Sequence, residues 1–204
     1  MIVFLINSMG RAVLETEKNL IMKMISPEAG LSALDAGCGT GVFSAFLVKA
    51  GMDVTGFDES PEMLGIASKK KSLKSVRMVR GDINKLPFES NCFDRVLCAF
   101  VIEFIPDAKQ VISELKRVLK PGGVLVIATL NSDGTWAESR RDDEFWSNAT
   151  FRNEEVLKEI GLEDAQFEQC LFFPPTTKRF FKLADWLARI KNVPGAVVVS
   201  RWEK

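Results

Sequence analysis

The stretch Leu34-Asp35-Ala36-Gly37-Cys38-Gly39-Thr40-Gly41 ends a short apolar run with three glycines at alternate positions. Glycine lets the main chain turn sharply and approach a ligand closely. Apolar residues then recur at helical spacing from residue 42 to residue 50, and Gly51 ends that pattern. The stretch therefore predicts a strand, a glycine-rich turn and a helix, which is the first unit of a parallel α/β sheet.

The same alternation of short apolar runs and helix-period segments continues to about residue 130. Ser60-Pro61-Glu62 predicts the start of a second helix, with an N-cap and a proline at the first position. A further helix is expected over residues 107–120, stopped by Pro121-Gly122-Gly123. The predicted strands are residues 32–36, 54–58, 75–80, 93–99 and 124–130.

The rest of the chain differs from this regular part. Residues 131–152 are polar and irregular; helices are expected over 153–160 and 177–190, and strands over 165–173 and 196–200. We predict one doubly wound sheet with helices on both faces. Residues 1–30 form an N-terminal helical segment that covers the ligand site, and residues 31–204 form a single domain.

Composition excludes several classes of chemistry. The 204 residues include neither His nor Tyr, so Ser-His-Asp and Cys-His catalysis and a catalytic phenol are absent. The four cysteines are scattered without a CxxC pair, and no metal site is expected. Lys plus Arg and Asp plus Glu both number 27, which leaves no overall field for nucleic acid. The apolar opening residues lack a basic flank, and no stretch could span a bilayer, so we expect a cytoplasmic protein.

The glycine loop predicts a ligand without phosphates. Its spacing is GxGxG rather than the GxGxxG of dinucleotide sites, and the Gly-Lys-Ser/Thr ending of a P-loop is absent. Asp58, at the end of the second strand, can accept hydrogen bonds from both ribose hydroxyls. Asp82, after the third strand, can accept from an adenine amino group while the next N–H meets a ring nitrogen. Three consecutive strand ends thus offer a cradle for an adenosine compound.

Five motifs in order resemble the class I S-adenosylmethionine-dependent methyltransferases, above all the small-molecule subgroup with the ubiquinone and menaquinone C-methyltransferases. They are LDAGCGTG (34–41), VTGFDESPEML (54–64), GDINKLPF (81–88), FDRVLCAFVIEFI (93–105) and LKPGGVLVIATLN (119–131). The resemblance implies a Rossmann-like seven-stranded sheet whose last strand runs antiparallel. It also implies transfer of a methyl group from S-adenosylmethionine, with S-adenosylhomocysteine as product.

The resemblance also assigns roles to residues of the cofactor site. Asp35 would orient the glycine loop or the cofactor's amino group, and Arg11 would pair with the cofactor's carboxylate or simply be an exposed helix residue. The remaining roles are Gly37, Cys38 and Gly39 for the methionine part, Asp58 for the ribose, Asp82 and Ile83 for the adenine, Met63 for its face, and Ala99 and Phe100 for the sulfonium side.

Catalysis and the acceptor are less clearly marked. Methyl transfer is an in-line displacement that needs an aligned nucleophile and, for a weak acid, a base. Glu103 is the nearest candidate base by position; the alternative is a structural role as a cap or salt bridge. Residues 131–152, with Trp136, Phe145, Trp146 and Phe151, and residues 174–192 are the expected acceptor-site or lid segments. Their aromatic content favours an apolar or aromatic small molecule.

The helix of residues 178–191 has two interpretations. It carries five basic residues and one acid, Asp185. Such a helix can touch a membrane or an anionic partner, or it can pack on the sheet with its charges in water. Phe180, Leu183, Ala184, Leu187 and Ile190 would then form its buried face.

Three functions follow from these observations. The first is an enzyme that methylates a small molecule. The second is a methyltransferase that acts on RNA or protein, which the zero net charge disfavours. The third is a cofactor-binding module without catalysis, which the missing histidine and the unassigned base leave open.

Overall fold

The computed structural model describes residues 8–137, 140, 146–173 and 181–204. Its strands are β1 (Ser32–Ala36), β2 (Asp53–Asp58), β3 (Arg77–Arg80), β4 (Phe93–Ala99), β5 (Leu119–Leu130), β6 (Gln166–Cys170) and β7 (Val197–Glu203). Its helices are α1 (Ser8–Ile25), α2 (Val42–Lys49), α3 (Pro61–Ser68), α4 (Ala108–Val118), α5 (Glu154–Leu157) and α6 (Phe181–Ile190). Short 3-10 turns occupy Lys71–Leu73 and Ile102–Phe104, and a wider helical turn occupies Lys158–Leu162.

The strands of the described residues form one sheet in the order β3-β2-β1-β4-β5-β7-β6. β1 to β5 are parallel, whereas β7 pairs antiparallel with both β5 and β6. The chain moves outward from β1 to β3 and then returns to place β4 on the other side of β1. That reversal creates a crevice at the carboxyl ends of β1 and β4. The predicted seven-stranded, doubly wound sheet with an antiparallel last strand is confirmed.

Local sequence signals explain where several helices begin. Ser60 caps α3, because its hydroxyl accepts a hydrogen bond from the Met63 amide at 3.2 Å. Asp107 caps α4 through the Gln110 amide at 3.0 Å. The α3 start is the one that the Ser-Pro-Glu sequence predicts, and it fixes the direction in which the chain leaves Asp58.

Helices cover both faces of the sheet. Successive residues of β5 point to opposite faces, as the pleat requires. Val126 packs in a cluster with Ile21 of α1 and Leu47 of α2. Ile127 packs in a second cluster with Leu115 of α4. The two clusters fix the sheet rigidly and leave its carboxyl edge to the connecting loops.

The structure corrects the predicted start of β5. The strand begins at Leu119 rather than at residue 124, and α4 ends before the Pro-Gly-Gly sequence that was expected to stop it. Leu119 pairs with Phe93 and Val124 pairs with Arg95, so the extra residues form an irregularity in the ladder. Gly122 has φ +75°, a conformation that glycine adopts readily. Pro-Gly-Gly therefore marks a bulge inside the strand.

Boundaries in the C-terminal part also differ from the predictions. The helix expected over 153–160 ends as α5 at Leu157, and Gly161, at φ +119°, lies in the wider turn that follows. The strand expected over 165–173 is the shorter β6, and the last strand extends to Glu203. The helix expected over 177–190 is described from Phe181 onward, and residues 174–180 lie outside the described part.

The two terminal helices pack differently from each other. α1 contacts β4, β5, β6 and β7 and so lies across one half of the sheet. On α6, Leu187 and Ile190 were expected to be buried, but they are 45% and 60% exposed. That part of the predicted buried face is wrong, whereas Ala184, which was predicted there, does pack against the core, and Ala188 is buried beside it. The side chains of Phe180 and Leu183 lie outside the described part. Among the described residues, no helix is long and apolar enough to cross a membrane.

Candidate active site

The glycine loop after β1 has backbone geometry that other residues adopt only with strain. Gly37 has φ +77° and Gly39 has φ +53°. A Cβ on Gly37 would lie 2.3 Å from Cγ2 of Val101, so this position is filled by packing. A Cβ on Gly39 would meet nothing within 4 Å, so this glycine faces open space. The loop thus presents bare main chain at the crevice next to β4.

Main-chain and side-chain hydrogen bonds hold this loop to β2. The amides of Gly37 and Cys38 both donate to the carbonyl of Phe57, at 2.7 and 2.9 Å. Asp58 accepts from the Gly39 amide through Oδ2 at 2.7 Å and from the Ser60 amide through Oδ1 at 2.9 Å. A carboxylate has about four acceptor positions, so Asp58 can accept two further hydrogen bonds.

Lys70 is an anchor that sequence reasoning missed. It belongs to the run Lys69-Lys70-Lys71, which resembles a solvated helix end. Its Nζ donates to the carbonyl of Thr40 at 2.6 Å, across 30 positions of sequence. Only the fold brings the two residues together, and the contact fixes the Thr40 carbonyl of the glycine loop.

Asp35 lies beneath the loop and is 2% exposed. Its Oδ2 accepts a hydrogen bond from Ser44 Oγ on α2 at 2.5 Å. Burial raises the pKa of Asp35 to about 6, although the hydrogen bonds of Ser44 oppose the shift and the nearby charge of Asp58 adds to it. Asp35 therefore joins the end of β1 to α2.

Cys38 is a buried thiol in the same loop. Burial raises its pKa, and the negative charges of Asp35 and Asp58 act in the same direction. A thiol that resists deprotonation is a poor nucleophile. Cys38 thus supplies a small side chain and a backbone amide to the loop.

An open cleft of about 520 Å³ lies at the ends of β2 and β3. It is lined by Glu59, Ser60, Arg80, Gly81 and Asp82. Two groups of Asn84, its amide N–H and its side-chain Nδ2, donate to Oδ1 of Asp82 at 2.9 and 2.7 Å, and they lower the pKa of that carboxyl. The cleft thus has an ionised acid at its wall.

The other two residues expected at this cleft have different environments. Met63, on the first turn of α3, is 42% exposed, whereas Ile83 is buried and 8% exposed. Met63 is thus free to cover a flat ligand. Ile83 offers its backbone N–H beside Asp82.

At the end of β4 the chain adopts a strained conformation. Phe100 has φ +59°, which is uncommon for a residue other than glycine. Its amide donates to the carbonyl of Ala128 at 2.8 Å, and its ring lies 6.2 Å from that of Phe43 on α2. Strain of this kind persists where the surroundings fix it and is common at ligand sites. Ala99 and Phe100 thus lie where β4 ends, and the next residue, Val101, packs against Gly37 of the glycine loop.

Glu103 lies in the interior and is 1% exposed. Its Oε1 accepts from the Leu130 amide at 2.8 Å, and among the described residues Oε2 has no hydrogen-bond partner. Burial raises the pKa of Glu103 to about 7, opposed by the Leu130 amide, the Thr129 hydroxyl and the charge of Arg152. The carboxyl thus ties the turn after β4 to the end of β5.

Arg152 completes this junction, and nothing in the sequence indicates it. The side chain is 6% exposed. Its Nη1 donates to the carbonyls of Ile102 at 2.7 Å and Thr150 at 2.9 Å, and its Nη2 donates to that of Ile105 at 3.2 Å. Arg152 therefore holds the end of the 131–152 segment against the turn that contains Glu103.

The rings of Phe104, Trp146 and Phe151 pack together beside this junction and form what we call the aromatic wall. Trp146 stacks on Phe104 at 5.5 Å between ring centroids and meets the edge of Phe151 at 6.0 Å. The guanidinium of Arg140 lies 5.2 Å from the ring of Trp136 and 5.5 Å from that of Trp146. Phe145, which was expected here, lies outside the described residues.

Glu17 of α1 belongs to the same region. Burial raises the pKa of Glu17 to about 8, and the positive charge of Arg140 opposes the shift. Sequence alone gives Glu17 no special status, because it is one of several charges on a helix. Arg11, on the same helix, is exposed.

The sequence of this chain is similar to those of known methyltransferases. Residues 34–127 match a family model described as a methyltransferase domain. The chain is 42% identical over 110 residues to a demethylmenaquinone methyltransferase of Staphylococcus aureus, and this match covers 52% of this chain and 46% of that protein. It is also 36% identical over 123 residues to a malonyl-[acyl-carrier protein] O-methyltransferase of Pectobacterium atrosepticum, and that match covers 60% of this chain and 47% of that protein.

The chain thus spans about half the length of these curated relatives. A solved structure from Thermotoga maritima covers more of it. That protein is described as an S-adenosylmethionine-dependent methyltransferase, possible histamine N-methyltransferase. It superposes with a TM-score of 0.69 at 25% identity, over 92% of this chain and 87% of its own. The resemblance carried by the five sequence motifs is confirmed.

Proposed function

We propose that this protein, whose residues 34–127 match a family model of a methyltransferase domain, transfers the methyl group of S-adenosylmethionine to a small-molecule acceptor. The observation that carries the proposal is the set of groups at adjacent strand ends. Bare main chain at Gly39, the spare acceptor positions of Asp58 and the cleft at Asp82 follow one another along one edge of the sheet. This edge suits an uncharged adenosine group followed by an amino acid.

The residues present fit the cofactor in three parts. The open space at Gly39 supports a place for the methionine part beside Gly37 and Cys38. Asp58 would hold the ribose through its two remaining acceptor positions. The adenine would lie in the cleft, with Asp82 and the Ile83 amide at its edge and Met63 on its face.

The chain's contribution to methyl transfer is to align and to exclude water. When bound, S-adenosylmethionine supplies a methyl carbon on a sulfonium, and displacement by the acceptor's nucleophile leaves S-adenosylhomocysteine. Ala99 and Phe100 would contact the sulfonium side, and the fixed backbone of Phe100 would keep the reacting atoms in line. Asp35 would support the loop from below, and Arg11 would approach the cofactor's carboxylate.

Glu103 remains our candidate for a group that serves the reaction, but its burial supports a positioning role. The carboxyl is tied to the Leu130 amide and braces the turn after β4. It would therefore act through the position of Phe100 and of the aromatic wall, rather than by taking a proton from the acceptor.

The acceptor would bind between α1 and the aromatic wall. Phe104 is 39% exposed and stacks on Trp146, so it offers a flat apolar surface. This surface favours an apolar or aromatic acceptor, and Glu17 with Arg140 would meet its polar end. In this arrangement residues 1–30 cover the site, residues 131–152 form its wall and residues 174–192 lie nearby. The relatives are named for demethylmenaquinone and for malonyl-[acyl-carrier protein], and these names support a small acceptor group.

Mass spectrometry with a deuterium-labelled methyl donor tests the proposal. The protein is incubated with the donor and with a panel of quinols, carboxylates and amines. We expect a labelled product from one chemical class and an equal amount of S-adenosylhomocysteine. Trp146→Ala should raise KM for that class more than it changes kcat. Binding of the donor without product from any class would favour a cofactor-binding module, and absence of binding would refute the proposal entirely.

A further inference from the structure

In the described part of helix α6, two alanine side chains contact the protein core. Ala188 is buried, and Ala184 packs against the apolar cluster that includes Val197 and Val199. These two alanines are four positions apart, so they lie on one side of the helix. Among the described side chains of the helix, these two alanines meet the core.

Three bulky apolar side chains in the described part of α6 are exposed to solvent. Trp186 is 56% exposed, Leu187 is 45% exposed and Ile190 is 60% exposed. Their spacing of three and four positions places Ile190 beside both of the others. Of the seven large apolar residues that are exposed in the described part of the chain, these three fall within five positions. Scattered exposed apolar residues are ordinary, but a contiguous apolar face on one helix indicates a binding surface.

The sequence that contains this apolar face is rich in basic residues. Residues 178–191 contain five basic side chains and one acid, whereas the whole chain has no net charge. The acid, Asp185, is engaged within the protein: it accepts from the Phe172 amide at 2.8 Å and pairs with Arg189 at 3.0 Å. Arg189 and Lys191 flank the exposed face, and both are exposed themselves.

From these observations we infer that α6 lies on the surface of a bilayer that contains anionic phospholipids. Trp186, Leu187 and Ile190 enter the boundary between head groups and acyl chains, and the basic residues lie against the lipid phosphates. This is the behaviour of an interfacial amphipathic helix, which joins apolar burial to electrostatic attraction. Tryptophan suits that boundary, because its ring is apolar and its N–H is polar.

Charge also argues against a second copy of the chain as the occupant. In a two-fold dimer the same patch meets itself. The basic residues of each copy would then face one another around the shared apolar face, and like charges would repel. An anionic surface complements both parts of the patch.

Vesicle cosedimentation of the full chain tests this inference. The vesicles are phosphatidylcholine alone or equal parts of phosphatidylcholine and phosphatidylglycerol. We expect binding to the anionic vesicles that weakens as salt is added. Ile190→Asp should weaken it by about tenfold or more, because it removes apolar burial and adds a negative charge. Lys191→Gln should weaken it by about fivefold, the effect of one basic residue near such a surface.

Val156→Asp is the matched control, because Val156 is 37% exposed on a different helix, and it should bind as the parent does. Failure of the parent to bind anionic vesicles would overturn the inference, and so would equal binding to both kinds of vesicle. Unchanged binding by Ile190→Asp would also overturn it. A parent dimer in sedimentation equilibrium that Ile190→Asp converts to a monomer would assign the face to a second copy instead.

Discussion

Replacing Asp58 with alanine would separate a ligand-binding carboxylate from an ordinary surface acid. The side chain makes two hydrogen bonds to main-chain amides, at 2.7 Å to Gly39 and 2.9 Å to Ser60. Asp58→Ala removes these contacts and also removes the two acceptor positions that we assign to the ribose. The variant should therefore bind the cofactor less tightly and hold the glycine loop less firmly.

The size of the effect on binding follows from the hydrogen bonds that are lost. Hydrogen bonds to a charged group contribute about 1.5–3 kcal/mol. Because about 1.4 kcal/mol corresponds to a tenfold change in Kd, the Kd for S-adenosylhomocysteine should rise about 10- to 150-fold. The Tm of the ligand-free variant should also fall, since two backbone amides lose their acceptor.

Isothermal titration calorimetry with S-adenosylhomocysteine, well below the Tm of both proteins, measures the binding term alone. Asp53→Ala is the matched control, because Asp53 is an exposed acid at the opposite end of the same strand. The control should keep the parental Kd. A parental Kd for Asp58→Ala, or an equal loss for both variants, would refute the ribose assignment.

Three further changes probe other parts of the site. Gly39→Asn should abolish cofactor binding, because the new side chain fills the open space at the loop. Gly30→Asn, at another left-handed glycine in open space, should keep cofactor binding. Equal Kd values for the two variants in calorimetric titrations would contradict the placement of the cofactor at Gly39. Glu103 in the folded parent keeps its proton up to a pKa of about 7, whereas in the unfolded chain it loses the proton near 4.5. Raising the pH from about 4.5 to about 7 should therefore lower the unfolding free energy of the parent by about 3 kcal/mol relative to that of Glu103→Gln. Urea unfolding at several pH values measures this difference, and parallel curves would exclude it. Arg152→Met should lower the unfolding free energy by about 2–4 kcal/mol, since three carbonyls lose a charged donor. Arg77→Met, at an exposed arginine, should change the unfolding free energy little. Similar urea midpoints for the two variants would show that Arg152 is dispensable for stability.

Features that depend on a few neighbouring residues were predictable from the sequence. The glycine loop and the capped start of α3 at Ser60 are local, and both lie where the pattern placed them. The start of β5 was not predictable in the same way. It depends on pairing between Leu119 and Phe93, and the irregularity before Arg95 absorbs the Pro-Gly-Gly sequence that would otherwise end the strand.

Contacts between distant parts of the chain show where local patterns stop being informative. Lys70 reaches Thr40 across 30 positions, and Arg152 reaches Ile102 across 50 positions. Glu17 acquires its raised pKa only because the fold buries it, and the charge of Arg140 opposes that rise. None of these side chains differs in sequence from an ordinary surface charge. Their roles arise from tertiary packing, and this is why the cofactor part of the site could be predicted in more detail than the acceptor part.

Helix α6 illustrates a second limit of periodicity. The spacing of its apolar residues identifies an apolar face but does not say what covers it. In the structure the alanines take the core side, because Ala184 and Ala188 allow a close approach to the apolar cluster. Trp186, Leu187 and Ile190 are exposed, and the exposure of such apolar residues to water opposes folding of the helix on its own. A helix with this arrangement gains stability only when something apolar covers it, and the basic residues around the face select an anionic surface for that purpose.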